Sequence, residues 1–259
     1  MDIAKSADGT TIAYEKTGEG PALVVSVGAF CTRATFVPPG ELAATFTVYT
    51  YDRRGRGDSG DTLPYRPERE YEDLAAVCAA TGEPHPYVFG HSSGAAIALR
   101  ATGTGVIAPA AIAAYEAPFT NQDAPPVPDD PAGHIRDLVA ADRRDEAVLY
   151  WMRDIIHLPA EVVAGMEKQP WVKGLEPLTP TLPYDIAVTD GGLPFAELAR
   201  INVPVLILGG SNSPAWFRRS VADQAQAIPC GRLTMIDGYD HNAPPEVLTP
   251  VLSGFYLNT

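Results

Sequence analysis

The sequence predicts an α/β fold, in which a doubly wound and mostly parallel sheet carries a helical insertion. Short, continuously apolar runs alternate with windows of helical character, and this alternation is typical of βαβ units. One stretch of roughly 80 residues lacks such runs and contains only helix-like windows, which is long for a simple connection. With 259 residues, 46% of them hydrophobic, the chain can bury one sizeable core.

The predicted strands and helices follow one another along the chain. Residues 10–18 alternate in polarity and end at a glycine, which favours an antiparallel edge hairpin with the residues before them. Apolar runs predict buried strands at 21–28, 46–52, 86–90, 106–116 and 203–210, and a weaker one at 232–237. Helices are predicted at 69–82, 92–103, 213–229 and 244–257. A sheet of about eight strands with right-handed crossovers follows from this order.

The insertion begins with "APFTNQDAPPVPDDP", which is proline-rich and irregular, and continues with helix-like windows. We therefore predict one sheet domain built from residues 1–116 and 199–259. Residues 117–198 are predicted to form a helical cap inserted into that domain rather than an independent domain.

Composition and charge exclude several classes of protein. A net charge of −13 argues against binding to nucleic acid or to an anionic membrane, since both require a basic surface. The three cysteines, Cys31, Cys78 and Cys230, are odd in number and lack metal-type spacing, so we expect neither a disulfide framework nor a metal site, and we expect a cytoplasmic location. The N-terminus lacks the apolar segment of a signal peptide, and no run of about 18 apolar residues could span a membrane. We expect a small-molecule substrate and no cofactor, and the oligomeric state stays open.

A Gly-x-Ser-x-Gly motif, "GHSSG" at residues 90–94, lies where a predicted strand meets a predicted helix. In that context a sharp turn holds the serine hydroxyl above the sheet, and the flanking glycines leave room around it. The N-terminus of the following helix favours negative charge that develops on a substrate. Glycine and serine also form ordinary turns, so it is the strand–turn–helix context that predicts Ser92 as a nucleophile.

A serine hydroxyl needs a base to act as a nucleophile at neutral pH. Of the five histidines, His241 follows the last predicted strand and precedes the last helix, where a base can reach over the carboxyl end of the sheet. It also follows Ser92 in chain order, as this arrangement requires. We predict His241 as the base. His91 is adjacent to Ser92, so its side chain is expected to point elsewhere and to be structural.

The third catalytic group should be a carboxylate that orients the imidazole. No Asp or Glu occurs from Gly209 to Val221, where this group would usually follow a strand. Glu116 ends the preceding apolar run at the same edge of the sheet, and we predict it as the acid. Asp237, at the end of the last strand, is the second choice. The alternative role for Glu116 is to cap the loop that enters the insertion.

An acyl-transfer site also needs hydrogen-bond donors for the oxyanion. The backbone N–H of Ser93, directly after the nucleophile, is one predicted donor. The other is expected in the apolar loop after residues 21–28, from Ala29 or alternatively from Phe30.

Phe30, Cys31 and Trp151 are predicted to line a substrate pocket between sheet and cap, although such aromatic residues suit helix packing equally well. The thiol of Cys31 is expected to be packed rather than reactive. Arg33 could bind an acidic substrate group, but we expect it to pair with a surface carboxylate.

Several motifs together resemble a serine α/β-hydrolase, and most of all the small capped members common in actinobacteria. They are "YDRRGRGDSG" (51–60), "GHSSG" (90–94), "YEAPF" (115–119), "GGSNSPAW" (209–216) and "DHN" (240–242). The resemblance covers essentially the whole chain. It implies the α/β-hydrolase fold, a triad of Ser92, His241 and a carboxylate, and a structural role for the loop at 51–60.

The chain departs from the family pattern at two places. Val27-Gly28 stands where the family usually has His-Gly before the oxyanion residue, and the acid is missing from its commonest position. A serine in place of an aspartate nucleophile argues against haloalkane dehalogenases and aspartate-type epoxide hydrolases, which form alkyl esters on a carboxylate.

The sequence therefore predicts hydrolysis of an ester, thioester or lactone of a small to medium apolar substrate through an acyl-Ser92 intermediate. Two alternatives stay open, because a fold does not determine a function. One is a biosynthetic tailoring enzyme that performs cyclisation, cofactor-free elimination or acyl transfer. The other is a ligand-binding protein with a silent triad.

Overall fold

A computed structural model describes residues 1–167 and 169–259. Within these residues, eight strands form one sheet in the order β1-β2-β4-β3-β5-β6-β7-β8. The strands are β1 (Asp2–Lys5), β2 (Thr11–Thr17), β3 (Ala22–Ser26), β4 (Thr47–Tyr51), β5 (Tyr87–His91), β6 (Ile112–Tyr115), β7 (Val205–Gly210) and β8 (Gly231–Ile236).

The first two strands form an antiparallel hairpin in which Ile3 lies opposite Ala13, and β2 is also antiparallel to β4. Every other pair in this sheet is parallel. The predicted mostly parallel sheet of about eight strands with an antiparallel edge is therefore confirmed.

Helices cover both faces of the sheet. Outside the insertion they are α1 (Gly40–Ala43), α2 (Pro67–Ala80), α3 (Ser93–Gly103), α10 (Ala215–Ala227) and α11 (Pro245–Tyr256). Because side chains alternate along a strand, Val24 and Val88 pack toward α2 and α3, whereas Val25 and Phe89 pack toward α1 and α11. The bounds of α2, α3, α10 and α11 lie within two residues of the predicted windows, whereas no predicted window covers α1.

The predicted strand at 106–116 is wrong over its first half, because β6 begins only at Ile112. The N–H of Val106 instead donates to the carbonyl of Ala101 and closes the end of α3. Pro109 has no N–H to donate to a neighbouring strand, so an apolar run that contains it cannot pair along its whole length.

The remaining helical elements lie between β6 and β7, after an irregular stretch at 116–130. They are α4 (Pro131–Ala140), α5 (Arg144–Tyr150), a π-helix (Trp151–Ile155), α6 (Ala160–Met166), α7 (Pro170–Leu175), a 3₁₀-helix (Glu176–Thr181), α8 (Leu182–Thr189) and α9 (Phe195–Leu198). Apolar side chains of α4, α5 and α8, among them Ile135, Ala147 and Leu182, pack into one cluster. The division into a core and a cap at 117–198 stays our prediction. No helix of the described residues has both the length and the apolar character that crossing a membrane requires.

Candidate active site

Ser92 occupies a strained turn between β5 and α3. Its φ of 57° and ψ of −131° lie in a region that residues other than glycine rarely adopt, at a cost of about 1–3 kcal/mol. The N–H of Ser92 donates to the carbonyl of Tyr115 at 2.9 Å, and the N–H of Ala95 donates back to the carbonyl of Ser92. The turn is thus fixed on both sides by the surrounding sheet and helix.

Two close approaches explain why this turn needs glycine around it. A Cβ at Gly94 would lie 2.2 Å from the carbonyl oxygen of Ser26, so a side chain there would push α3 away from β3. A Cβ at Gly28 would lie 2.6 Å from Cβ of Ser92 and 3.0 Å from its Oγ. The loop after β3 is therefore in direct contact with the serine side chain.

Glu116 and His241, which are 125 residues apart in the chain, meet beside this turn. His241 Nδ1 lies 2.7 Å from Glu116 Oε2. The other carboxylate oxygen, Oε1, accepts hydrogen bonds from the N–H of Gly210 at 2.8 Å and from the hydroxyl of Ser213 at 2.6 Å. The carboxylate is completely buried, whereas the imidazole is 32% exposed.

The charge of Glu116 is maintained by these contacts. Burial raises the pKa of Glu116, but the hydrogen bonds and charge from His241 and the hydrogen bonds from Ser213 and Gly210 outweigh it and hold that pKa below its ordinary value. An ionised carboxylate at Nδ1 favours the tautomer whose Nε2 is free to accept a proton.

The alternative acid, Asp237, accepts a hydrogen bond from Ser211 Oγ at 3.3 Å, and no hydrogen bond among the described residues joins it to His241. Asp240 Oδ1 accepts the N–H of Asn242 instead. Of the carboxylates considered from the sequence, Glu116 is the one that the structure brings to the imidazole.

Two side chains hold the loop that carries His241. His91 Nε2 donates to the backbone carbonyl of His241 at 2.9 Å, and the Tyr115 hydroxyl donates to the carbonyl of Asp240. The rings of His91 and His241 lie 4.7 Å apart. Burial and the neighbouring His241 lower the pKa of His91 to about 4, so His91 is a neutral donor at neutral pH. Its predicted structural role thus consists of supporting the loop of His241.

The imidazole of His241 lies beside the turn, because its ring packs against that of His91, the residue that precedes Ser92. Among the described residues no hydrogen bond joins Ser92 Oγ to His241. Catalytic hydrogen bonds are often long in the absence of substrate and shorten in the complex.

The two predicted oxyanion donors flank Ser92. Ser93 opens α3, and Ala29 follows Gly28, whose backbone lies against the serine side chain. Within residues 1–167 and 169–259, neither of these backbone N–H groups donates to a protein acceptor. Both therefore stay our predicted oxyanion donors.

The predicted pocket residues divide into two groups. Phe30 and Trp151 contact each other edge to face, with ring centroids 6.1 Å apart, and belong to the apolar cluster of the insertion. Cys31 packs against the apolar cluster between the sheet and helices α1 and α11. Burial raises the pKa of its thiol, so the thiol is protonated at neutral pH. Phe217, which the sequence did not point to, lies 5.6 Å from the ring of His241.

Arg33 pairs with carboxylates, as the sequence predicts. It binds the buried Asp52, and it also binds Asp58 at 2.6 Å and Glu15 at 3.1 Å. Asp52 in addition accepts the N–H groups of Arg33 and Asp58, which gives the loop at 51–60 the structural role that the resemblance implies.

The sequence profile described as the alpha/beta hydrolase family matches residues 23–248 of this chain. The chain belongs to that family. An alpha/beta hydrolase from Sphaerobacter thermophilus DSM 20745 has a solved structure that is 43% identical, covers 98% of this chain and 100% of that one, and superposes with a TM-score of 0.92.

More distant relatives share less with this hydrolase. The enol-lactonase from Burkholderia xenovorans LB400 is 19% identical with a TM-score of 0.71, over 99% of this chain and 98% of that one, which shows a common fold. The uncharacterized hydrolase YraK of Bacillus subtilis is 36% identical over 95 residues, and this match spans 35% of each chain.

This hydrolase also has a buried ionic cluster behind the turn, which sequence reasoning missed. We call it the elbow cluster, and it consists of Arg53, Arg56, Glu70, Ser93 and Asp185. Arg53 makes two hydrogen bonds to Glu70 and one to Asp185, each of 2.6 Å, and Arg56 binds the second oxygen of Asp185 at 2.6 Å. The only sequence signals were more arginines in residues 51–60 than a turn requires, and a lone carboxylate in the apolar stretch of α8.

Proposed function

We propose that this α/β-hydrolase cleaves an ester, thioester or lactone of a small to medium apolar substrate through an acyl-Ser92 intermediate. The observation that carries the proposal is the arrangement at the carboxyl edge of the sheet. A serine in a strained turn lies beside an imidazole, and a buried, ionised Glu116 binds Nδ1 of that imidazole at 2.7 Å.

In the proposed reaction, Ser92 Oγ attacks the substrate carbonyl carbon while His241 Nε2 takes the hydroxyl proton. The carbonyl oxygen becomes an oxyanion that accepts the N–H groups of Ala29 and Ser93. His241 then gives the proton to the departing oxygen or sulfur, and the acyl group stays on Ser92. A water molecule, deprotonated by His241, attacks the carbonyl carbon of this ester. The bond from that carbon to Ser92 Oγ breaks, His241 returns the proton to Oγ, and the acid leaves.

Glu116 acts through the imidazole. Its negative charge stabilises the imidazolium that exists in each tetrahedral state, and its hydrogen bond keeps the ring oriented. The donors to Glu116 Oε1, a backbone N–H and a hydroxyl, are neutral, so they hold the carboxylate without cancelling its charge.

The proposed substrate class is supported by an aromatic ring beside His241 and by an aromatic pair that begins in the loop of Ala29. Phe30 and Trp151 come from the loop after β3 and from the π-helix, and Phe217 comes from α10. A lactone is an internal ester and requires the same chemistry, and the enol-lactonase of similar fold supports including lactones among the substrates to be tested.

The test is a panel of p-nitrophenyl esters of increasing acyl length, one thioester and one lactone, combined with labelling by a fluorophosphonate. We expect turnover of short esters and labelling of the wild-type protein, and we expect both to disappear in Ser92→Ala. Ser253→Ala, which removes a hydroxyl from α11, is the matched control and should retain both.

The other outcomes separate the alternative functions. Labelling at Ser92 without turnover of any ester, thioester or lactone would favour a tailoring enzyme on the same site. A folded wild-type protein that neither reacts with the fluorophosphonate nor turns over substrate would contradict acyl-enzyme chemistry and favour a ligand-binding protein.

A further inference from the structure

The orientation of one peptide group next to Ser92 depends on Arg56. Nη1 of Arg56 donates to the carbonyl of Gly28 at 2.6 Å, and it also reaches the carbonyl of Cys31 at 3.3 Å. The Gly28–Ala29 peptide is trans, so its C=O and its N–H point in opposite directions. A guanidinium that holds the carbonyl on the buried side therefore directs the N–H of Ala29 to the opposite side.

The second oxyanion donor is linked to the same group. The hydroxyl of Ser93 donates to Asp185 Oδ1 at 2.6 Å, while Asp185 Oδ2 accepts Nη2 of Arg56 at 2.6 Å. Arg53 Nη1 also donates to the hydroxyl of Ser93 at 3.0 Å. A single ion pair, Arg56–Asp185, therefore contacts the carbonyl of the Gly28–Ala29 peptide and the hydroxyl of Ser93, next to both proposed oxyanion donors.

The pair joins two distant segments of the chain. Arg56 belongs to the loop after β4, Asp185 belongs to α8 of the insertion, and Arg56 Nε donates to Thr181 Oγ1 of the 3₁₀-helix before α8 at 3.0 Å. All three nitrogens of the guanidinium donate hydrogen bonds at once. A lysine ammonium at this position could not make these contacts simultaneously, because it lacks the planar fork.

Such a pair is costly to bury. The side chains of Arg56 and Asp185 are 1% and 3% exposed, and removing two charges from water offsets much of their mutual attraction. Burial raises the pKa of Asp185, but Arg53 and Arg56 outweigh it and hold that pKa below its ordinary value, so the carboxylate is charged. Apolar residues of similar volume could fill the same space without this cost. We therefore infer that the pair serves to fix the positions of the groups that it binds.

We propose that Arg56 and Asp185 are positioning residues for the oxyanion hole, so that helix α8 of the insertion sets the alignment of both oxyanion donors. This inference rests on the proposed acyl-Ser92 chemistry. Neither side chain touches the substrate, and both act through backbone amides that do.

The chain contains a matched control for this inference. Arg54 is in the same loop and is fully buried, and it binds Asp73 with two hydrogen bonds of 2.7 Å and Asp8 at 3.1 Å. Its contacts do not include the loop after β3 or Ser93. Replacing Arg54 therefore removes a comparable buried ion pair without changing the oxyanion amides.

The experiment compares Arg56→Lys with Arg54→Lys by two readouts: kcat and KM for p-nitrophenyl acetate, and the affinity for an aryl trifluoromethyl ketone. That ketone forms a hemiketal with Ser92 whose anionic oxygen occupies the hole. Active sites are counted by fluorophosphonate titration, so any unfolded fraction does not contribute. For Arg56→Lys we expect kcat to fall about 100-fold, which is the scale for loss of one oxyanion donor, with little change in KM. The affinity for the ketone should fall in parallel, and Arg54→Lys should keep both values.

Wild-type values of kcat and of ketone affinity in Arg56→Lys would overturn the inference, and so would equal losses in Arg54→Lys. If Arg56→Lys does not fold, Ser93→Ala decides, because it breaks the link to Asp185 and keeps every charge and the N–H. We expect a parallel fall of about 10-fold in kcat and in ketone affinity for Ser93→Ala, and no fall in either would overturn the inference. A wild-type protein without labelling and turnover would instead contradict the proposed function itself.

Discussion

Two polar clusters flank Ser92, and they differ in how they are built. On one side the imidazole of His241 is 32% exposed and rests on Glu116. On the other side the side chains of Arg53, Arg56 and Asp185 are at most 3% exposed. The proposed roles fit this difference, because a base that exchanges protons with substrate and water needs access to both, whereas groups that only hold backbone amides in place do not.

The two carboxylates in these clusters show the same difference. The pKa values of both Glu116 and Asp185 lie below the ordinary range despite burial. Glu116 is held by neutral donors and by the imidazole, so its charge remains available to an imidazolium. Asp185 is neutralised by two guanidinium groups, so it contributes position and no net charge.

The largest effect is expected for a substitution at the partly exposed cluster of Glu116 and His241. Glu116→Gln keeps the shape of the side chain but removes the charge and can stabilise the wrong tautomer of His241. We expect kcat for an activated ester to fall by about 10³- to 10⁴-fold, measured by steady-state kinetics. Asp237→Asn is the control and should behave as wild type. Equal and mild effects of both substitutions would remove Glu116 from the mechanism.

Substitutions in the buried elbow cluster should change the stability of the protein. Arg53→Met leaves Glu70 and Asp185 buried without this guanidinium, and we expect the free energy of unfolding to fall by about 3–5 kcal/mol in urea denaturation. Arg143→Met, which removes the exposed pair with Glu146, should leave stability unchanged. A small effect of Arg53→Met would mean that the elbow cluster is not the rigid part of the site.

His91, which supports the loop of His241, sharpens the comparison through pH. Its pKa in the folded protein is about 4, against about 6.5 in the unfolded chain. Between these values the unfolded state binds a proton that the folded state does not, so the free energy of unfolding falls as pH is lowered from 6.5 to 4, by up to roughly 3 kcal/mol.

His91→Gln should remove this part of the pH dependence, because the amide does not titrate and still offers a donor to the carbonyl of His241. The measurement is urea denaturation of both proteins at pH 7 and at pH 4.5. Tyr115, Glu116 and His241, the other ionisable side chains that face this site, are present in both proteins, so the difference between the two slopes isolates His91. Parallel slopes would show that His91 takes up a proton in the folded state.

The smallest expected effect concerns the pocket wall. Trp151→Ala should open space beside Phe30, and we expect kcat/KM to shift toward longer acyl chains by about 10-fold relative to acetate. Trp171→Ala, at a half-exposed tryptophan of α7, is the control and should leave the chain-length preference unchanged. An unchanged preference in Trp151→Ala would assign Trp151 to helix packing alone.

Much of the fold could be predicted because its signals are local. A short, continuous apolar run indicates a buried parallel strand, and a glycine–serine turn between such a run and a helical window indicates a strand–turn–helix junction. The placement of Glu116 followed from the same logic, since the ends of neighbouring parallel strands meet at one edge of a sheet. The local rule failed in the first half of the run at 106–116. Pro109 has no backbone N–H there, and the apolar pattern does not take hydrogen-bond donors into account.

The sequence by itself determined the strands, their mostly parallel arrangement, the turn at Ser92 and the carboxylate and imidazole that could reach it. Only the tertiary structure decided that Arg56 reaches Asp185, 129 residues away, and that His91 supports the loop of His241. The physical reason is that secondary structure depends on neighbours within a few residues, which leave a periodic pattern in the chain. An ion pair depends on where two distant segments pack. The sequence alone therefore does not distinguish an arginine that will be buried from one that will be exposed.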